Sequence, residues 1–475
     1  MHVRICPVGS DTTGSMVTYT GVVTTGIYCR SVGCPASPNK RNLVPFDHPA
    51  AAEAAGFRPC LRCRPDRMPE VGWIAAPELV CRAMHSIADG ALDDATEDEL
   101  ATRLGVSARH LRRLFAQYVG ATPSEVARSR RAHFARRLLD DTDLPMAQVA
   151  TAAGFNSVRQ MNRVMQEIFQ FTPTELRAKR RQPDRLVVDG GLELRVPYRA
   201  PLAWTELLGF LEPRAIPGVE AVDLDANVYR RVTDVDGAPG VIEVWDVPRE
   251  QALRLRVHLP AIDGLVHLVT GVRRLFDLDA DPRVIDRRLS RDERLRPLVR
   301  AHRGLRVPGA LDPFELGVRA ILGQQVSVGR ATALAGALVA QLGKPVRGIA
   351  PLGLTHQFPS PRTVARADLT SLGLPAARRD AVRGFASAMA RGDLVLDRGA
   401  GLEETVRALC ALPGIGPWTA NYVAMRACGE RDAFPASDLA LRKVLGPDPA
   451  AAAEAWRPWR AYAAMYVWQV PHRSV

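Results

Sequence analysis

The chain has 475 residues, too many for one hydrophobic core, and its length predicts three or four domains. Its apolar fraction of 47% excludes general disorder, and no run of eighteen apolar residues offers a membrane span. The net charge of +12, carried far more by Arg than by Lys, predicts a polyanionic partner, because the guanidinium fork meets phosphate in bidentate fashion.

Residues 1–68 are rich in turns and cysteine. Cys29 and Cys34 are followed by Cys60 and Cys63, and Cys60-Leu61-Arg62-Cys63 has the short bite that tetrahedral Zn2+ prefers. No apolar signal core opens the chain, and the eight cysteines include one tight and one loose pair in a cytosol-like chain, which reads as metal binding and not as disulfides. The plain reading is a zinc knuckle that staples a domain with little core of its own.

Residues 77–181 alternate amphipathic helices with short turns. Leu100 to Ser107 has the apolar spacing and turn glycine (Gly105) of a helix-turn-helix, and the next helix, Ser107 to Tyr118, presents Arg109, His110, Arg112 and Arg113. A second unit, Val149 to Ser157, leads into a helix presenting Arg159, Gln160, Asn162 and Arg163. Gln and Asn suit adenine edges, and Arg suits guanine or phosphate. Phe155 belongs to the core. Between Ala101 and Gln182 there are fifteen Arg or Lys against six Asp or Glu, so most of the excess charge lies here.

Residues 183–300 open with alternating runs that predict strands, including Val228–Val232, Gly240–Val247 and Ala252–Leu259. Residues 305–475 are mainly helical, broken by Pro and Gly. The stretches 64–77 and 179–185 read as linkers.

The most specific feature is Leu412-Pro413-Gly414-Ile415-Gly416-Pro417-Trp418-Thr419-Ala420, with Asp438 following at the end of Phe434-Pro435-Ala436-Ser437-Asp438. Gly414 and Gly416 make a tight turn whose backbone suits close approach of a ligand. The amides opening the next helix suit a phosphate oxygen. Trp418 and Tyr422 stand one helical turn apart on one face. Asp438 also reads as an N-cap of the helix that follows.

This arrangement resembles the helix-hairpin-helix DNA glycosylases, and among them the 3-methyladenine DNA glycosylase II family. Gly317 to Val328 and Trp456 to Tyr462 are further matches, spanning roughly residues 308–470 together. The resemblance implies that Asp438 stabilises charge at the sugar C1′ and that Trp418, Tyr422 and Trp468 line the base pocket. It implies that Gly414, Gly416 and Thr419 hold the DNA backbone, and that Gln325 fills the gap left by the flipped base, where relatives carry an apolar residue. Trp418 stands where bifunctional members carry a lysine, so no lyase step through a Schiff base is implied. Only Cys410 and Cys428 occur in the last third, so no iron–sulfur cluster is expected.

Thr24 to Arg30 and Ala54 to Asp66 resemble the Ada-type alkyl-acceptor domain. That resemblance implies Zn2+ held by Cys29, Cys34, Cys60 and Cys63, with Cys29 the acceptor of a methyl group from a DNA phosphotriester. Four residues separate Cys29 from Cys34, where the family has three. Residues 77–181, down to Phe169-Gln170-Phe171-Thr172-Pro173, resemble the AraC-type DNA-binding domain. That implies DNA contact through Arg109, Arg113, Arg159 and Gln160. Pro471-His472-Arg473 looks like the Pro-Cys-His-Arg motif of a further Ada domain but lacks its cysteine, and no such activity is expected.

The expected fold is multidomain, mainly α with α+β parts. It comprises a small zinc domain (1–68), an AraC-type helix-turn-helix domain (77–181), a strand-rich α+β glycosylase N-terminal domain (183–300) and an all-α helix-hairpin-helix glycosylase domain (305–475). The expected function is monofunctional excision of alkylated purines such as 3-methyladenine, fused to an alkylation-responsive DNA-binding regulator. The expected partner is double-stranded DNA, at alkylated lesions and promoter sites, with no membrane and no required oligomer. The expected location is cytoplasmic and nucleoid-associated. The competing expectation is a transcription regulator whose glycosylase half is inactive.

Overall fold

Tyr19–Val22 (β1) and Ile27–Arg30 (β2) pair antiparallel, Tyr19 opposite Arg30 and Val22 opposite Ile27, with Gly26 at φ +62° closing the turn. The computed structural model describes residues 19–31, 34, 38–65, 76–179, 187–188, 191–235, 238–259 and 261–470. The predicted linkers and the Pro471-His472-Arg473 motif lie largely or wholly outside these residues. Leu43–Phe46 (β3) pairs antiparallel with β1 and Arg58–Pro59 (β4) parallel with β2, giving the order β3-β1-β2-β4. Pro49–Ala54 (α1) packs on this sheet through Ala52. The buried cluster here holds only Tyr19, Tyr28, Ala52 and Phe57, too little apolar area to fix a domain without a staple.

The chain divides into two compact units, residues 1–188 with 262–270, and residues 189–261 with 271–475. In the first unit the helices are Glu78–Ala88 (α2), Glu97–Arg103 (α3), Ala108–Tyr118 (α4), Pro123–Asp141 (α5), Met146–Ala152 (α6), Val158–Phe169 (α7) and Pro173–Ala178 (α8). Their starts are written in the sequence. Thr96 with Glu99, Thr122 with Glu125, and Thr172 with Glu175 form capping boxes, while Ser107 and Ser157 cap α4 and α7. The predicted helix at Ser107 thus begins one residue later, with Ser107 as its cap. Gly105 and Gly154, at φ +74° and +77°, make the turns before α4 and α7. Leu100, Leu111 and Phe115 are fully or nearly buried, and Phe155 is 3% exposed.

The second unit carries an antiparallel sheet in the order Gly191–Pro197, Ala252–His258, Ala238–Val247, Val228–Val235, Glu220–Asp223. Leu255 stands opposite both Leu194 and Val244, and along its strand buried and half-buried residues alternate as the pleat requires. Trp204–Leu211 (α9) precedes Glu220–Asp223 in the chain. After His258 the chain turns helical, with Leu265–Leu275 (α10), Pro282–Leu289 (α11) and Arg296–Ala301 (α12), so only the first part of 183–300 is strand.

The helices that follow are Pro313–Leu322 (α13), Val328–Leu342 (α14), Pro361–Arg366 (α15), Ala376–Arg391 (α16), Leu402–Cys410 (α17), Pro417–Arg426 (α18), Leu439–Leu445 (α19), Pro449–Ala453 (α20) and Arg460–Trp468 (α21). Phe314, Ile321, Leu338, Phe385 and Val423 belong to their shared core. A Cβ on Gly317 would lie 2.2 Å from Phe385, so the glycine of the Gly317–Val328 motif sets the approach of α16 to α13. α13 meets the sheet through buried charge. Arg231 donates to Glu315 at 2.7 Å, and Arg319 pairs with Glu220 at 3.0 Å.

Candidate functional site

Asp438 is the N-cap of α19, and its Oδ1 accepts from the backbone N–H of Ala440 at 2.9 Å and of Leu441 at 3.1 Å. The same carboxylate accepts from two indoles, Trp418 Nε1 at 3.0 Å and Trp468 Nε1 at 3.2 Å. The capping role and the indole contacts therefore coexist, and together they fix the carboxylate at the edge of an aromatic cluster. Trp418 stacks on Tyr422, centroids 5.2 Å apart and planes 7° apart. Tyr422 lies 6.4 Å from Trp468. The three aromatics expected from the sequence are thus assembled around Asp438. Leu439, beside it, is 74% exposed, an unusual position for a large apolar side chain.

The sequence reading named no functional residue in 183–300, and here the structure differs. Phe210, at the end of α9, stacks against Trp468 at 6.5 Å. Arg214, one turn on, holds its guanidinium 3.9 Å from the Phe210 ring centroid. Arg426, buried on α18, donates to the Tyr422 hydroxyl at 2.7 Å. Burial pushes the Tyr422 hydroxyl up, but Arg426, Arg214 and Arg319 outweigh it and hold its pKa below the ordinary tyrosine value. The contacts of Phe210 with Trp468 and with Arg426 join residues more than two hundred positions apart, which no local pattern encodes.

The hairpin runs between α17 and α18. Gly414 sits at φ +83°, and a Cβ there would lie 2.7 Å from Ala381 Cβ, so this glycine is required twice over. Gly416 has ordinary φ and open space where a Cβ would stand, so packing does not demand a glycine there. α18 begins at Pro417 with no side-chain cap, leaving its first amides to an outside acceptor. Thr419, expected on the DNA face, is 3% exposed and accepts from Gln324 Nε2 at 3.0 Å. Its side chain therefore braces the hairpin from behind, while its backbone N–H is among the first amides of α18. Gln324 Nε2 also donates to Gly414 O at 2.9 Å, tying the α13–α14 turn to the hairpin, a link the sequence reading missed. Gln325 is exposed at the tip of that turn in the left-handed region, φ +57°.

Cys29, Cys34, Cys60 and Cys63 gather their sulfurs within 4.8 Å of one another, so the extra residue after Cys29 does not keep them apart. Backbone N–H groups of Arg62 and Arg30 donate to Cys60 Sγ at 3.4 Å and Cys63 Sγ at 3.5 Å. The hydrogen bond with Cys29 is the first cause that lowers Cys63 to about 5, and the same contact raises Cys29. Four soft sulfurs within reach of one ion, with amide donors behind them, fit Zn2+.

In the helix-turn-helix pair Arg109, Arg113 and Arg159 are exposed, and Gln160 is half-buried. Arg113 is linked to His110 Nδ1 at 3.0 Å. Gln160 is partly committed, since its Oε1 accepts from the Asn156 N–H at 3.0 Å. Arg112, also presented by its helix, is paired with Glu97, and Arg163 with Glu167, so these two are tethered within the domain.

Residues 8–66 match the metal binding domain of Ada, residues 100–179 a helix-turn-helix domain, and residues 193–312 the AlkA N-terminal domain. A "Probable bifunctional transcriptional activator/DNA repair enzyme AlkA" of Mycobacterium tuberculosis is 41% identical over 94% of this chain and 91% of its own length. The "DNA-3-methyladenine glycosylase 2" of Escherichia coli is 36% identical over 57% of this chain and 95% of its own length. The "Bifunctional transcriptional activator/DNA repair enzyme AdaA" of Bacillus subtilis is 29% identical over 28% of this chain and 61% of its own length. The Ada match and the four-cysteine cluster make residues 19–65 part of a zinc-binding domain, and no helix among the described residues is long and apolar enough to cross a membrane. With a zinc domain, a helix-turn-helix domain and a DNA glycosylase in one chain, this protein belongs to the AlkA family of bifunctional transcriptional activators and DNA repair enzymes.

Proposed function

We propose that this protein hydrolyses the C1′–N bond of alkylated purines, 3-methyladenine among them, in double-stranded DNA, with Asp438 as the carboxylate facing the sugar. The observation that carries the reading is Asp438 itself, held between the N–H groups of Trp418 and Trp468 at the edge of the aromatic cluster. The reactive bond is hidden in the duplex, so the base must leave the stack before cleavage. An N-alkylated purine carries positive charge and is attracted to electron-rich rings by about 0.5–2 kcal/mol each. As the bond breaks, positive charge develops at C1′, and a nearby carboxylate stabilises it. The uncapped amides of α18, with Gly416 leaving space, suit a DNA phosphate.

The other half of the protein acts as the regulator. The exposed Arg109, Arg113 and Arg159 contact promoter DNA from α4 and α7. The Cys29 sulfur attacks the methyl carbon of a DNA phosphotriester, the methyl C–O bond breaks, and the phosphodiester leaves as an anion. Zn2+ held by Cys29, Cys34, Cys60 and Cys63 would keep the Cys29 sulfur ionised. A thioether at Cys29 removes one negative charge from the cluster and lessens repulsion from DNA.

The test is release of free base from alkylated duplex DNA by wild type and by Asp438→Asn. Asn keeps the cap through its carbonyl oxygen but sets its NH2 against the Trp418 indole N–H, so folding should lose about 1–3 kcal/mol, and the assay is run on protein shown by melting to be folded. Loss of the charge should lower excision by about 10²–10³-fold. An Asn variant as active as wild type removes Asp438 from the mechanism. No release by either, with DNA binding intact, would leave a regulator whose glycosylase half is inactive.

A further inference from the structure

Two guanidinium groups behind the aromatic cluster carry no carboxylate partner. Arg426 is 2% exposed, and its other hydrogen bonds go to carbonyls, Pro308 O at 2.7 Å and Gly309 O at 3.2 Å. Arg214 donates to Phe210 O at 2.9 Å. The carboxylates nearest this cluster in the ion-pair network are Glu220 and Glu315, and they are matched by Arg231 and Arg319. Among the described residues no acid pairs with Arg214 or Arg426, so two guanidinium charges face the rings against the single carboxylate of Asp438. Arg214 is half-buried and Arg426 fully buried; burying an unpaired charge costs several kcal/mol in typical cases, which makes Arg426 and the neighbour that shares its ring candidates for function.

The charges also have an order. Asp438 touches the Nε1 edges of Trp418 and Trp468. Those indoles stack on Tyr422 and Phe210. Phe210 in turn carries Arg214 at 3.9 Å and Arg426 at 5.1 Å, and Arg426 lies 5.4 Å from the Tyr422 ring centroid. A contact chain therefore runs from a carboxylate, through two layers of rings, to two guanidinium groups.

Resting on the glycosylase reading, we propose that Arg214 and Arg426 promote departure of the base, setting positive potential on the base side of the bond while Asp438 sets negative potential on the sugar side. When the C1′–N bond breaks, its electron pair leaves with the base. A cationic base goes from +1 to neutral, and a neutral base goes from zero to −1. Water then adds hydroxide to C1′, and its proton passes to solvent in the first case and to the departing base in the second. In both cases the base becomes more negative by one charge, so positive potential favours the transition state over the ground state. The same potential opposes binding of a cationic base, because each guanidinium occupies a ring that would otherwise attract that cation. The acidified Tyr422 hydroxyl is consistent with this field.

The signature is a split between binding and rate. The full-length protein would be assayed in single turnover on duplexes carrying one 7-methylguanine, which is cationic, or one hypoxanthine, which is neutral. Arg214→Met keeps much of the stem and removes the charge. Its maximal rate should fall about tenfold on both duplexes. Its half-saturating concentration should fall for 7-methylguanine and not for hypoxanthine. Arg214→Lys, which keeps the charge, should recover most of the rate in both assays. An unchanged rate in the Met variant overturns the proposal. So does a joint loss of rate and affinity on both lesions, which is what a structural prop would give. Failure of the wild type to release either base would instead refute the glycosylase reading, and the proposal with it.

Discussion

At the scale of single residues, one atom group serves two purposes at Asp438. Its Oδ1 starts α19 and receives the Trp468 indole, while Oδ2 receives Trp418. Sequence inspection offered a cap and a reaction-centre carboxylate as separate readings, and the geometry accommodates both. The hairpin glycines part company in the same way. Gly414→Ala meets left-handed strain and an overpacked contact with Ala381, so it should destabilise the second unit by about 2 kcal/mol or more. Gly416→Ala should cost at most about 1 kcal/mol, since the new methyl meets open space and only the N-cap preference for glycine over alanine is lost. If phosphate approaches the backbone there, Gly416→Ala should still weaken binding to duplex DNA. Denaturant melts and fluorescence anisotropy on both variants check this. A stable Gly414→Ala would contradict the packing account.

At the scale of elements, the helix starts were legible because capping is local. Threonine followed three residues later by glutamate marks α3, α5 and α8, and each box is formed. What joins elements was not legible. Asp277 follows α10, takes a hydrogen bond from Tyr462 on α21 at 2.7 Å and another from the Val307 N–H at 3.3 Å. Burial pushes its carboxyl up from the ordinary 3.8 to about 6. The fold therefore favours the protonated acid. That contribution is present below about pH 4 and is lost as pH rises through about 6. Asp277→Asn stays neutral, and Asn tolerates the positive φ of this position. The variant should gain stability over wild type between pH 4 and 7, by up to about 3 kcal/mol. Thermal melts across that range check it, and a constant difference between the two proteins would show that Asp277 is not the titrating group.

At the scale of the whole molecule, the two units rest on different supports. The second has a broad helical core around Phe314, Phe385 and Val423. Within the first unit, the small sheet at residues 19–59 has its own core cluster in Tyr19, Tyr28, Ala52 and Phe57, and a metal site. Structural zinc in small domains contributes about 10–16 kcal/mol of apparent folding energy. Chelation should therefore unfold this sheet and abolish methyl uptake at Cys29, while base release by the second unit continues. Limited proteolysis mapped by mass spectrometry, with a parallel excision assay, reads both effects. Protection of residues 19–59 after full zinc removal would mean that the apolar core suffices.

The sequence by itself determined what depends on neighbours along the chain. Helix caps, turn glycines, the Cys60-Leu61-Arg62-Cys63 bite and the hairpin are all set within a few residues, because hydrogen-bond reach and φ are local properties. Tertiary structure alone decided what closes the site. It set Phe210 and Arg214, from a segment that promised only support, against Trp468 and Tyr422, and it turned Thr419 inward against Gln324. It also left two guanidinium groups without acid partners behind the rings. Charge pairing and ring stacking act through space, and their distance dependence takes no account of separation along the chain.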